Sequence, residues 1–155
     1  MRKCSKPEEL LDHTAGNLFS AKRVGPDDVI YVVTVKHGRL YLLGKLCVAR
    51  VCGLAEAAKI LHRAPESLWD ASDHVIALSA TTMKFDRSVS IETTEQLSFV
   101  GKDDIKFLKF KEPGHLDEQT LRGVREIHNM SVQELDRLLP PLQEVMIKDL
   151  DNEVA

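Results

Sequence analysis

Between Asp28 and Val51 the chain reads DVIYVVTVKHGRLYLLGKLCVARV, two apolar runs set about a single His37–Gly38 pair. Val29 to Val35 is dense in β-branched residues, whose crowded Cβ suits a pleated surface and disfavours helix. Gly38 takes positive φ without steric cost, so His37–Gly38 suffices as a two-residue turn, and Arg39 to Val51 returns as a long second strand. This register sets Val35 against Leu40, Val33 against Leu42 and Tyr31 against Gly44. Valines and leucines on that face suit a barrel interior, with the Tyr31 ring covering the gap where Gly44 lets the strand bend. The opposite face, with Ile30, Val32, Thr34, Tyr41, Leu43 and Cys47, is also mostly apolar, so something must pack outside the sheet as well.

The expected cover is a helix in which Leu54, Ala57, Ala58 and Leu61 recur on one side and Glu56, Lys59 and Arg63 on the other. Pro7 to Asp12 suits a short helix, whereas Ala15–Gly16–Asn17 and Gly25–Pro26–Asp27 are turn chemistry that makes the intervening stretch loop-rich. HVIALS, QLSFV and IKFLKF read as three further short strands, and the stretch from Ser79 to Glu95 reads mostly as loop. Asp117 suits the N-cap of a helix carrying Leu121 and Val124. Ser131 to Glu134 reads as a capping box opening a helix with Val132, Leu135 and Leu139 inward. Pro140–Pro141 ends that helix, and Leu142 to Leu150 suits one last short one. There is no internal repeat or long linker. The expectation is an α+β fold, a small mixed β-barrel of about five to six strands flanked by helices. Residues 1–139 form one barrel domain, and 140–155 a short helix with an acidic tail.

A chain of 155 residues suits one such domain. No apolar stretch reaches the roughly 20 residues that span a bilayer, and the basic N-terminus is followed by acidic rather than apolar residues, so neither a membrane span nor a secretory signal is expected. Cys4, Cys47 and Cys52 are odd in number and two lie in a strand pattern, which argues for reduced thiols and a cytoplasmic home. The charge is uneven: 17 Lys/Arg against 15 Asp/Glu up to Glu112, then 4 against 9 from Pro113. That permits nucleic-acid contact but is not the strongly basic footprint of a nonspecific DNA binder.

Catalytic signatures are missing from the sequence. It has no Walker loop, no GxGxxG after a strand, no GxSxG elbow and no HExxH. Cys47 and Cys52 fall on opposite faces of a strand, which disfavours a shared metal. Asp70, Asp73 and His74 form the most enzyme-like cluster, since an Asp–His pair can orient a general base, but no nucleophile stands beside them. No enzymatic activity and no cofactor are expected.

HTAGNLFSAKRVGPDDVIYVVTV resembles the opening of EVE domains, members of the PUA-like superfamily related to YTH domains. Asn17, Lys22–Arg23, Asp28 and the Val29–Val35 strand follow the family's order with similar spacing, although Asp27 stands where the family has glycine. RLYLLGKLCVARV is similar to the second strand of these domains, and VREIHNMSVQELDRLL to their closing segment and final helix. The likeness runs from about Thr14 to Leu139.

The resemblance implies a PUA-like, EVE-like barrel that is not an enzyme and holds a flipped, often modified, base at the barrel mouth. An aromatic wall gains roughly 1–3 kcal/mol per stacked base, and flipping costs least in single strands or damaged duplex. The pocket implied here consists of Asn17, Phe19, Thr34, Tyr41 and Trp69, with Lys22, Arg23, Lys84 and Arg87 as a phosphate rim. Each has a structural reading too: Trp69 as a plug of the barrel end, Asn17 and Lys22–Arg23 as turn residues, Phe19 and Tyr41 as core. The expected partner is nucleic acid, DNA or RNA, with an effector protein beside it. A second reading keeps the barrel and makes it a protein-interaction or self-association module, its surface supplied by Leu139, Leu142, Val145, Met146 and Leu150.

Overall fold

The computed structural model describes residues 9–121 and 123–145. The elements run β1 (His13–Gly16), β2 (Val29–Lys36), β3 (Arg39–Cys52), α1 (Leu54–Leu61), β4 (Asp73–Ala80), α2 (Ile91–Gln96), β5 (Ser98–Val100), β6 (Ile105–Phe107), β7 (Phe110–Glu112), β8 (His115–Leu116), α3 (Asn129–Asp136) and β9 (Gln143–Glu144), with 3-10 turns at Pro65–Ser67 and Glu118–Leu121. The main sheet is a curled antiparallel half-barrel in the order β1-β4-β3-β2, with β9 also on β4. Two small ribbons, β5–β6 and β7–β8, complete the strands. None of the described helices is long and apolar enough to cross a membrane.

The β2–β3 hairpin forms about His37 and Gly38, both at positive φ (51° and 75°), the geometry whose twist matches the flanking strands. A Cβ at Gly38 would also run into the His115 ring, and Gly38 O accepts from Leu116 N at 2.8 Å. Val35 pairs with Leu40 and Val33 with Leu42, as expected. Beyond them a bulge between Val32 and Val33 shifts the register, so that Tyr31 opposes Lys45 and Gly44 opposes Val32. Tyr31 therefore does not cover Gly44. Leu11 and Thr81 do: a Cβ at Gly44 would fall 2.9 Å from Thr81 Oγ1 and 3.1 Å from Leu11 Cδ2. An alternating pattern cannot announce a bulge, because one inserted residue leaves both flanking patterns intact.

Both faces of the hairpin are covered, but not by the expected partner. Leu40, Leu42 and Val33 join Val89, Leu97, Phe99, Leu108, Leu116 and Leu135 in one core. Ile30, Val32, Leu46 and Val48 join Leu11, Phe19, Val75 and Ala77 in a second. Helix α1 packs instead on β4, where Ala57 and Ile60 meet Ile76, whose side chain points away from the one that buries Val75 and Ala77. Ala57 and Ala58 are buried as expected, but the buried Ile60 falls outside the expected stripe, and the partner depended on which strand lay beside the helix.

Other segments differ from expectation for local reasons. β1 forms where turns were expected, because Thr14 and Ala15 complete the free side of β4 against Val75 and His74. Helix α2 forms in the expected loop, its Ser90 Oγ accepting from Thr93 N at 3.1 Å. IKFLKF divides between β6 and β7, and the segment after Asp117 makes only a 3-10 turn. Ser131 is not a cap: α3 begins two residues earlier, and Ser131 Oγ accepts from Ser98 N at 2.8 Å inside the protein. Gln143 and Glu144, expected in a helix, pair with Ala80 and Ser79 as strand, while 146–150 of that expected helix lies outside the described residues.

The bulge itself is fastened by Arg87, whose Nη1 donates to Leu42 O (3.2 Å) and Leu43 O (3.1 Å). Thr81 Oγ1 accepts from Lys45 N at 2.9 Å, so it cannot swing aside for a new methyl without breaking that bond. Arg87→Ala should therefore destabilise the fold by about 1.5–3 kcal/mol and Gly44→Ala by about 1–3 kcal/mol, measured by urea denaturation.

Candidate functional site

Because β2 ends the main sheet, its outer edge carries backbone N–H and C=O groups with no strand partner among the described residues. Beside that edge lies a cleft of about 710 Å³, within the range typical of small-ligand sites. Its opposite wall is the segment Gly123–Ile127. That segment is fixed to β5: Val100 N donates to Glu126 O and His128 N to Ser98 O, each at 2.9 Å, around the Phe99–Ile127 bridge. The lining is largely aliphatic, with aromatic rings from Phe19, Tyr31 and Phe99, and with Lys22, Asp28, Arg125 and Glu126 as its charged groups. Asp28 is partly committed already, its Oδ2 accepting from Gly25 N at 2.9 Å.

One end of the cleft is held by a three-residue clamp. Asp136 Oδ1 accepts from Tyr31 Oη at 2.6 Å and from Lys45 Nζ at 2.8 Å, and that ammonium lies 5.7 Å from the Tyr31 ring centroid. The clamp ties α3, whose Leu135 also lines the cleft, to the β2–β3 hairpin. Burial works against the Asp136 carboxylate, but the hydrogen bonds from Lys45 and Tyr31 and the Lys45 charge outweigh it and hold its pKa below the usual value. Burial, followed by the bond to Asp136 and its negative charge, raises the Tyr31 phenol well above its ordinary range.

The residues expected at the base pocket separate into three places. Phe19 and Lys22 line the cleft, Phe19 as a ring 6% exposed that packs beneath Gly16 in the second core. Asn17 lies in a loop cluster, its Oδ1 accepting from Ser72 N at 2.9 Å, while Ser20 N and Oγ both donate to the Asp73 carboxylate at 3.0 Å. Trp69 stands three residues before Ser72, 76% exposed and outside the cleft, so it does not plug the barrel. Arg23 is an exposed turn residue at φ 59°, its N donating to Ser20 O.

Thr34, Tyr41, Lys84 and Arg87 gather at a third place, on the other side of the hairpin. Thr34 opposes Tyr41, Tyr41 bridges to Ser88, and Lys84 N donates to Leu43 O at 3.0 Å. Lys36 Nζ lies 5.9 Å from the Tyr41 ring and 5.7 Å from that of the exposed Phe85. Arg87 serves the bulge there rather than an open rim. The cleft residues that sequence reasoning missed are Tyr31, Phe99 and Arg125. Their signal is not local, since it depends on β2 being the edge strand and on Gly123–Ile127 lying opposite.

His74 is fully buried and pairs with His13, their rings stacked 5.1 Å apart. His74 Nε2 lies 3.2 Å from Ala71 O, which can only accept, so His74 carries its proton on Nε2 and its Nδ1 accepts from His13 Nε2 at 2.9 Å. Asp73 and His74 thus face different partners, and neither lines the cleft. Burial, then the neighbouring His74 and the Arg63 charge, lower the His13 pKa from 6.5 to about 4. The unfolded chain therefore binds a proton here between those values while the folded chain does not. The His13 contribution to stability should be complete well above pH 6.5 and fall as the pH drops towards about 4. The loss should be about 1–2 kcal/mol once solvent screening of the half-buried ring is counted. Denaturation curves over this window should show the decline in the native chain and a flatter profile in His13→Gln.

No protein-family model matches this chain, and no curated protein and no solved structure matches it either.

Proposed function

We propose that the chain is a non-catalytic nucleic-acid-binding module, EVE-like within the PUA-like superfamily, that takes an unpaired or modified base into the cleft beside β2. The observation that carries this reading is the cleft's make-up: a strand edge with no strand partner among the described residues, aromatic and aliphatic walls, and Lys22 and Arg125 in the lining. A base needs an apolar face to stack on, donors and acceptors for its edge, and cations near its phosphate. The backbone of β2 supplies the donors and acceptors, the half-buried Tyr31 supplies a ring, and Lys22 and Arg125 supply charge. The curled half-barrel agrees with the expected barrel at the level of architecture.

The Lys36–Tyr41–Phe85 surface gives the same chain a second aromatic and cationic area, suited to flanking nucleotides. The protein-interaction reading through the C-terminal segment has less support. Leu139 and Val145 pack against the chain's own cores, Leu142 is exposed, and Met146 and Leu150 lie outside the described residues. An effector protein working beside the module is compatible with either reading.

The test is an anisotropy titration with short labelled oligonucleotides, single- and double-stranded, with and without methylated cytosine or adenine, at two salt concentrations. Binding should favour the single strand or the modified base. Lys22→Ala and Arg125→Ala should each weaken it about equally for all sequences and reduce the salt slope by about 1. Trp69→Ala should leave the base preference intact, because that ring stands outside the cleft. A flat titration up to about 100 μM, where even nonspecific binders respond, overturns the proposal.

A further inference from the structure

The β5–β6 ribbon has an unprotected side. Ser98 and Val100 direct their backbone groups to His128 and Glu126, so Phe99 faces β6 and pairs with Lys106. The neighbouring residues of β6, Ile105 and Phe107, must then aim their N–H and C=O groups outward, away from β5. All three residues of β6 are exposed, and its outer edge has no strand partner among the described residues. Val100 (50%), Ile105 (54%) and Phe107 (55%) also expose their side chains on one face of the ribbon. Natural edge strands are usually blunted by charge, proline or a covering element, because open edges recruit other strands.

The charges beside this edge are self-complementary. The sequence is Asp104–Ile105–Lys106, and the Asp104 and Lys106 side chains lie on the same side of the ribbon, both beside Gly101. In an antiparallel pairing centred on Ile105, the residue opposite Asp104 is Lys106 of the second copy, and the two-fold axis repeats that match. We propose that β6 pairs antiparallel with β6 of a second copy of this chain about an axis at Ile105, joining two ribbons into one four-stranded sheet. Ile105 exchanges both backbone hydrogen bonds with its counterpart. The exposed Val100, Ile105 and Phe107 of the two copies form one apolar face, and two Asp104–Lys106 pairs fix the register. The match is specific to this centre: a shift of one residue pair, to an axis at Lys106, would oppose the two lysines. The contact is small, so the dimer belongs among weak, concentration-dependent assemblies.

Sedimentation equilibrium of the full chain should show monomer passing to dimer between about 10 μM and about 1 mM. Asp104→Lys and Lys106→Asp should each abolish self-association or weaken it at least about tenfold, since each opposes like charges. The double variant Asp104→Lys/Lys106→Asp should regain it. The two single variants, mixed, should form a heterodimer although neither associates alone, an outcome that a general effect on folding cannot produce. Circular dichroism confirms that each variant is folded. A native chain that stays monomeric at about 1 mM, or single variants that associate like the native chain, overturns the proposal. Failure of the mixed variants to associate overturns the register.

Discussion

Strand β3 carries two cores on opposite faces, and the rest of the molecule is arranged around that demand. Leu40 and Leu42 point into one core, and Leu46 and Val48 into the other. The bulge beside Leu43 separates the two halves and lets a single strand of 14 residues serve both. A bulge exposes ladder groups that need other partners, and the fold supplies them at once. Arg87 takes the carbonyls of Leu42 and Leu43, Lys84 N takes Leu43 O as well, and Thr81 returns a hydroxyl to Lys45 N. The packing of Leu11 against Gly44 then fixes the N-terminal segment, which leads into β1 and the free side of β4.

The same demand leaves β2 at the edge. With β3 occupied by β2 on one side and β4 on the other, nothing in the main sheet remains to pair with the outer edge of β2. The chain places α3 and Gly123–Ile127 across from it and ties α3 down through the Tyr31–Lys45–Asp136 clamp. The clamp is polar where its surroundings are apolar. It therefore sets the spacing between α3 and the hairpin more sharply than leucine contacts alone would, since a 2.6 Å bond tolerates little displacement.

The hairpin, its turn and the first two cross-strand pairs were legible because β-branched density, alternation and Gly38 all point the same way. In α1 the burial of Ala57 and Ala58 was legible from their helical spacing, and that of Ile60 was not. What escaped was whatever depends on residues far apart in the chain. The bulge register rests on Arg87 and Thr81, some forty residues from the strand they brace. Ser131 followed by Glu134 satisfies a capping pattern, yet its hydroxyl is used by Ser98, 33 residues away. Among the candidate site residues, Phe19 and Lys22 reach the cleft because they precede β2 closely. Asn17 and Trp69, recognition groups by the family resemblance, lie instead on and beside a loop brace. Simple alternation sets Tyr31 over Gly44, and the one-residue shift at Val32 moves it to Lys45 instead.

A half-barrel with an open seam behaves differently from a closed one when something enters it. Whatever occupies the space between β2 and Gly123–Ile127 meets walls that come together only in the folded chain, so it binds the native state and not the unfolded one. By thermodynamic linkage, occupancy and folding then become a single coupled equilibrium: a ligand present at about a hundred times its dissociation constant adds about 2.7 kcal/mol to the unfolding free energy. The seam thus makes the melting temperature of this protein a reporter of anything that fills it.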